Sequence, residues 1–277
     1  MSAPRIFITG AASGLGRSLA VQWAASGAWV CLADRDDPRG RDVARELQSK
    51  GLHAEYLHCD VTEETDFSAA ADWLESNWGG VDIVVNNAGV AQMGKIDSTT
   101  IDDWRWIVDI NILGIARSCR VFAPFLKRQG KGKIVNIASM AGLLHLPGAA
   151  AYNATKAAVV AISETLEFEL AADGIDVACV CPAFFRTDLA KNMRASDAVS
   201  EATTKRLVER SRMGPDEVAK IIIAALERGE RLILTHPQAR RSWLMKRFLP
   251  YGVYLGIIRG QLRKLEARLS RPSRGVS

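Results

Sequence analysis

The sequence predicts an α/β protein built on a doubly wound parallel sheet of about seven strands, with helices on both faces and a basic amphipathic tail after it. Three observations lead there. Short β-rich runs alternate with longer helical patterns, the rhythm of a parallel sheet whose crossovers are helices. Runs such as Val81-Asp82-Ile83-Val84-Val85 are nearly continuous in apolar residues, as strands covered on both faces require. The first such run passes directly into a glycine-rich turn and then a helical pattern.

In chain order, strands are expected at residues 5–9, 28–33, 54–59, 81–85, 133–138, 176–181 and 231–235, with amphipathic helices that include 101–129 and 150–172. With 277 residues and 48% hydrophobic content, the chain can bury the core of one large domain. No repeat at a solenoid period and no low-complexity linker divides it. Two segments break the rhythm. Residues 183–214, between the sixth strand and the helix start at Pro215-Asp216-Glu217, are too many for a plain connection and are expected to form a substrate lid. Past the last strand come the breakers Pro237, Pro250 and Pro272. The expected division is therefore a domain over 1–236 and an extension over 237–277.

Charge separates the same two parts. The net charge is +5, but from His236 onward there are ten Lys/Arg and one acid, Glu266, giving +9; the remaining 26 bases and 30 acids sum to −4. The five cysteines mostly lie in or beside apolar, strand-like runs and read as small buried hydrophobes in a reducing compartment. Cys179 and Cys181, two apart on a strand, share a face without being placed to bridge. His53, His58 and His236 have no ligand-like spacing, so no metal is expected. The first residues already read as a strand, without a charged-then-apolar leader. The expected location is the cytoplasm, with a peripheral hold on a membrane through the tail as a second expectation.

After the first strand comes Thr9-Gly10-Ala11-Ala12-Ser13-Gly14-Leu15-Gly16. Glycine permits a tight turn and close backbone approach, and the following helix N-terminus offers free N–H groups and positive dipole to a pyrophosphate. This is the Rossmann-type arrangement of a dinucleotide site, although the spacing is Gly-x-x-x-Gly-x-Gly. The second strand then runs into Asp34, eighteen residues after Gly16, where a carboxylate can accept from both adenosine ribose hydroxyls and repel a 2′-phosphate. NAD(H) is favoured on that ground. Arg35 follows directly and keeps NADP(H) as the alternative.

Tyr152 and Lys156 stand four residues apart in an Ala-rich helical pattern, which puts both side chains on one face. A free phenol is a poor base at neutral pH, but a cation about 4 Å away at an effective dielectric of about 20 is worth ~4 kcal/mol as an upper figure. Lys156 is therefore expected to pull the Tyr152 hydroxyl down into the working range. Ser139 lies thirteen residues upstream, after an apolar strand. His145, between Leu144 and Leu146, reads as a pocket-lining or exposed imidazole, since Tyr152 fills the proton role.

With the glycine loop, Cys59-Asp60-Val61, Asn86-Asn87-Ala88-Gly89, Asn111, Ser139 and Tyr152-Asn153-Ala154-Thr155-Lys156 in this order, the first 235 residues or so resemble the short-chain dehydrogenase/reductase family. The resemblance implies that Gly10, Ser13, Gly14, Leu15, Gly16, Asp34, Arg35, Asp60, Val61, Asn87, Ala88, Gly89, Pro182 and Thr187 line the cofactor, with Asp60 at the adenine and Thr187 at the nicotinamide carboxamide. It implies that Ser139 bonds the substrate oxygen, that Lys156 also grips the nicotinamide ribose and that Asn111 anchors a water in a relay to Lys156. One departure stands out: Pro182-Ala183 replaces the family's usual Pro-Gly.

Substrate contacts are expected from loops 90–94 and 140–149 and from the lid, including His145 and Phe184. The stretches around the chemistry are strongly apolar, so the expected substrate is a lipophilic secondary alcohol or ketone, such as a steroid, retinoid, fatty or polyketide-like compound. Arg186, Lys191 and Arg194 in the lid leave an NADPH-dependent 3-oxoacyl-thioester reductase as the runner-up. A non-catalytic NAD-binding sensor is a third reading, disfavoured because Tyr152 and Lys156 are both present. The family habit and helices 101–129 and 150–172 point to a homodimer or homotetramer. The tail, with Trp243, Phe248, Tyr251, Tyr254 and Ile258 among Arg240, Arg241, Lys246 and Arg247, and then Ile258, Leu262, Leu265 and Leu269 opposite Arg259, Arg263, Lys264 and Arg268, suits a helix lying on an anionic membrane surface. A subunit-contact arm or pocket cover is the alternative. No nucleic-acid recognition motif accompanies the basic charge.

Overall fold

The computed structural model describes residues 3–187, 189 and 193–269, and the side chains of these except 262 and 264–269. The chain divides after Thr235 into two compact units, Met1–Thr235 and His236–Ser277.

In the first unit, β1 (Arg5–Thr9), α1 (Gly14–Ala25), β2 (Trp29–Asp34), α2 (Asp37–Ser49), β3 (Ala54–His58), α3 (Glu64–Trp78) and β4 (Ile83–Asn86) follow one another. Local chemistry sets the boundaries. Asp36 caps α2 by accepting from Arg39 N, with Pro38 in the first turn. Gly79, at φ 68°, closes α3 in the left-handed conformation. After the two-residue β5 (Gln92–Met93) come α4 (Ile101–Val108), a π-turn at Asp109–Leu113 and α5 (Gly114–Gln129). The uniform helix expected over 101–129 is thus interrupted: one wider turn is inserted, and it carries Asn111.

The unit continues with β6 (Gly132–Ile137), α6 (Ala150–Leu170), β7 (Ile175–Val180), β8 (Arg194–Ala195), α7 (Ala198–Glu209), α8 (Pro215–Glu227) and β9 (Leu232–Ile233). The sheet has seven strands in the order β3-β2-β1-β4-β6-β7-β9, with every neighbouring pair parallel. The order reverses between β1 and β4, so a crevice opens at their carboxyl ends.

Alternation along β1 shows how both faces are covered. Ile6 and Ile8 join one core with Leu19, Leu47 and Val218 from α1, α2 and α8, whereas Phe7 turns the other way and meets Phe122 of α5 at a 4.9 Å ring separation. The seventh strand is shorter than the 231–235 run suggests, pairing with β7 only at Leu232 and Ile233. A second, two-stranded parallel sheet joins β5 to β8. Two-residue strands carry no periodicity, so the sequence offered no sign of it.

The second unit consists of α9 (Pro237–Phe248) and α10 (Tyr251–Leu269), separated at Pro250. Of the side chains in the expected tail pattern, Leu262, Lys264, Leu265, Arg268 and Leu269 lie outside the described residues, as does Pro272.

Candidate active site

The loop between β1 and α1 is held by β4. Asn87 Nδ2 donates to the carbonyls of Thr9 (2.9 Å) and Gly10 (3.1 Å), and Thr9 Oγ1 accepts from the backbone N–H groups of Asn87 and Ala88, each at 3.0 Å. Gly14 sits at φ 54°. A Cβ on Gly16 would come within 2.2 Å of Gly10 O, an approach only glycine permits. Leu15 is buried beneath the turn. Ser13 is the α1 N-cap residue, yet its side chain caps none of the first-turn N–H groups, so among the described residues that helix end has no side-chain cap. A cavity of about 780 Å³ opens there, lined by Ser13, Gly14, Arg17, Arg39, Arg186 and Thr187 among others. Thr187, far along the chain from the glycine loop, thus comes beside Gly14.

At the far end of the crevice Asp34 closes β2. Its Oδ2 accepts from Ala12 N at 2.9 Å and its Oδ1 from Asp36 N at 3.0 Å, so the carboxylate is aimed by the glycine loop itself. Beneath it, the Tyr56 hydroxyl lies 2.7 Å from both Asp34 O and Asp37 Oδ1. That bracing was not foreseen from the sequence. Burial acts to raise the Asp60 carboxyl, but bonds from the Thr62 N–H and hydroxyl, with Arg35 and His58 nearby, hold it below its ordinary value. Val61 packs against Gly114 at the start of α5.

Tyr152 and Lys156 occupy the first two turns of α6, and both are buried. A ladder of side-chain amides fixes this helix to the sheet: Asn86 Nδ2 donates to Asn136 Oδ1 (2.8 Å), and Asn136 Nδ2 to Ser163 Oγ (3.0 Å). Asn111 Oδ1 accepts from Val90 N, and its Nδ2 donates to Val90 O, both at 2.9 Å, and to Thr155 Oγ1 at 3.2 Å. A Cβ on Gly89 would lie 3.1 Å from Asn111 Oδ1 and 3.5 Å from Lys156 Nζ, so these three residues converge. Ser139 Oγ accepts from Ala141 N at 3.1 Å and donates to Pro182 O at 3.4 Å, and its side chain is near enough to the Tyr152 hydroxyl to act on it electrostatically. Pro182 O receives Met140 N at 2.8 Å, tying the segment after β7 to the segment after β6.

The electrostatics correct one expectation. Burial raises the Tyr152 hydroxyl above its ordinary value, and the polar Ser139 side chain beside it works against that rise. Lys156 is not what governs it. Its Nζ stands 5.9 Å from the Tyr152 ring centroid and donates to Ile137 O at 2.9 Å. Burial pushes the ammonium itself down to about 8. The expected downward pull assumed a fully charged cation in contact with the hydroxyl; desolvation of both groups defeats it.

Around Tyr152 the surface is apolar. Met93, Ala149 and Ile107 are buried with it, and Trp104, Trp106, Leu189 and Met193 pack against the group. Sequence reasoning named none of those four; two tryptophans at i, i+2 on α4 and a long unassigned lid were the available signals. His145 is exposed on the loop after Ser139, and Phe184 is also exposed, so neither is drawn into the Tyr152 group. The lid bases have protein partners: Arg186 donates to Ser211 O at 2.9 Å, and Arg194 donates to Asp103 Oδ1 at 3.3 Å with its guanidinium 4.0 Å from the Trp106 ring centroid. Lys191 lies outside the described residues. The five cysteines are free and buried, with the Cys179 and Cys181 sulfurs 3.9 Å apart. Among the described residues no group of three or more His, Cys, Asp or Glu could hold a metal ion.

Comparison with known proteins agrees with this geometry. The family model described as short chain dehydrogenase matches residues 4–198. A putative oxidoreductase SadH of Mycobacterium tuberculosis is 32% identical over 246 residues, covering 87% of this chain and 89% of that protein. A 3-alpha-(or 20-beta)-hydroxysteroid dehydrogenase of Mycobacterium bovis is 34% identical over 182 residues, covering 66% of this chain and 69% of that protein. Among solved structures, a short chain dehydrogenase/reductase from Burkholderia phymatum in complex with NAD superposes with a TM-score of 0.85 at 31% identity, over 89% of this chain and 93% of that one.

Proposed function

The chain belongs to the short-chain dehydrogenase/reductase family, oxidoreductases acting on CH–OH groups, and on that premise we propose that it interconverts a lipophilic secondary alcohol and its ketone using NAD(H), with Tyr152 as general acid/base. The observation that carries this reading is the setting of Tyr152: a buried phenol beside Ser139, inside an apolar group built from α4, α6 and the lid.

Ser139 holds the substrate oxygen against the Tyr152 hydroxyl, which takes the carbinol proton in oxidation and returns it in reduction. When bound, the nicotinamide cofactor accepts or supplies the hydride. The residues present fit such a group. The glycine turn has room for nothing larger than hydrogen at Gly16, and α1 presents uncapped N–H groups beside a cavity. Gly10, Ser13, Gly14 and Leu15 would hold the pyrophosphate; Asp34 the adenosine ribose; Asp60 and Val61 the adenine; Asn87, Ala88, Gly89, Lys156, Pro182 and Thr187 the nicotinamide half. Asn111 is proposed to anchor a water on the route from Lys156, and His145 and Phe184 to meet the outer part of the substrate.

NAD(H) is favoured because each Asp34 oxygen, although it accepts one backbone N–H, has a further lone pair for a ribose hydroxyl. NADP(H) is the alternative, through Arg35. The engagement of Arg186 and Arg194 within the protein favours an uncharged lipophilic substrate over an acyl thioester. Residues 183–214 serve as the lid of a catalytic domain over 1–236, and subunits pair as a homodimer or homotetramer through the α5 and α6 regions.

A screen following NADH and NADPH absorbance at 340 nm against steroid, long-chain and small acidic alcohols and ketones, and against 3-oxoacyl thioesters, tests the proposal. Turnover of apolar compounds with NAD(H) is expected. Turnover confined to acyl thioesters with NADPH would favour the reductase alternative, and cofactor binding without turnover of any compound would favour a sensor.

A further inference from the structure

We propose that the second unit is a docking surface for anionic lipid, holding the protein peripherally on a membrane. On α9, Leu244 and Phe248 are one helical turn apart and both exposed; on α10, Val253 and Ile257 repeat the arrangement. Phe248 is 75% exposed, Tyr251 69% and Val253 53%. Large apolar side chains this open cluster at the junction of two helices, around Pro250. A soluble surface seldom gathers them without an occupant.

Charge indicates which occupant. Arg240, Arg241, Arg247, Arg259 and Arg263 are exposed on the same two helices, and from His236 there is no acid before Glu266. Arg240 and Arg241 stand one turn before Leu244, and Arg247 adjoins Phe248 with its guanidinium 5.5 Å from the Trp243 ring centroid. Aromatic and aliphatic groups interleaved with arginines, with the acids removed, match a layer that is anionic at its headgroups and apolar just below. A second copy of the chain would bring the same positive tail against this one, and its fit would need a complementary groove; a lipid surface needs none. Among the described residues no helix is long and apolar enough to cross a membrane, so the contact is one of lying on the surface.

Co-sedimentation of the full chain with phosphatidylcholine vesicles, with and without phosphatidylglycerol, tests this independently of the reaction. The protein is expected to pellet with the anionic vesicles at low salt, to stay in the supernatant with the neutral ones, and to be released steeply as salt rises. Each base near such a surface is worth roughly fivefold in partition, so the triple variant Arg240→Gln, Arg241→Gln, Arg247→Gln is expected to bind on the order of a hundredfold more weakly. Phe248→Ser with Tyr251→Ser is expected to weaken binding at every salt concentration. Both variants should keep the wild-type subunit number by light scattering. Wild-type protein remaining in the supernatant, or the arginine variant pelleting like wild type, overturns the proposal. Variants that dissociate into smaller species without losing vesicle binding would assign the surface to a second copy instead.

Discussion

The Lys156 ammonium stands 5.9 Å from the Tyr152 ring centroid, and its hydrogen bond goes to the Ile137 carbonyl. Both residues are buried, one turn apart on α6. Burial disfavours the charged form of each, so it raises the phenol and lowers the ammonium. Before any ligand binds, the phenol is therefore held in its neutral form, and the ammonium gives up its proton more readily than a free lysine does.

Stability should record the lysine. Below pH 8 Lys156 is protonated in both the folded and unfolded states, and its burial costs stability in full. Between about 8 and the ordinary lysine value of 10.5, the unfolded chain holds a proton that the folded protein has released. Stability attributable to this group therefore rises with pH across that window. The full difference is about 3 kcal/mol. Thermal unfolding of the cofactor-free protein from pH 7 to 10, read against Lys156→Met, should show wild type gaining on the variant as pH rises. Parallel curves would place the Lys156 value near that of a free lysine.

Asp34 is expected to set cofactor choice. Its carboxylate is fixed by Ala12 N and Asp36 N, so Asp34→Ser removes the charge at a defined position beside Arg35. Relative efficiency with NADP(H) should rise, with Arg35 available to meet a 2′-phosphate. A wild-type protein that already prefers NADPH tenfold would refute the assignment.

Gly16→Ala introduces a Cβ 2.2 Å from Gly10 O and 2.5 Å from Asn87 Nδ2. The loop must open or Asn87 must leave its two carbonyls. Overpacking of this kind costs ~1–3 kcal/mol, so the melting temperature should fall and NADH titration should show at least roughly tenfold weaker binding if the loss falls on the loop that cradles the ligand. Unchanged affinity would separate this turn from the cofactor site.

Legibility in the sequence followed the range of the interaction. The glycine turn, Asp34 at the end of β2 and the Tyr152–Lys156 spacing depend on neighbours in the chain, and each could be read from a few residues. The π-turn around Asn111 could not, because an apolar helical pattern runs through 101–129 and one inserted residue barely disturbs it. Trp104, Trp106, Leu189 and Met193 meet around Tyr152 from α4 and the lid, and no local pattern links them. The direction of the Tyr152 shift was missed for the same reason: spacing gives the distance to Lys156, whereas desolvation is set by everything folded around the phenol.

The central claim is that the Tyr152 hydroxyl carries the proton. Tyr152→Phe keeps the ring in its apolar setting and deletes only the hydroxyl beside Ser139. The decisive measurement is turnover at 340 nm, with NADH binding followed in parallel on the same variant. Turnover is expected to drop by about a hundredfold or more while NADH affinity changes little. Near-normal turnover in the variant would contradict the account.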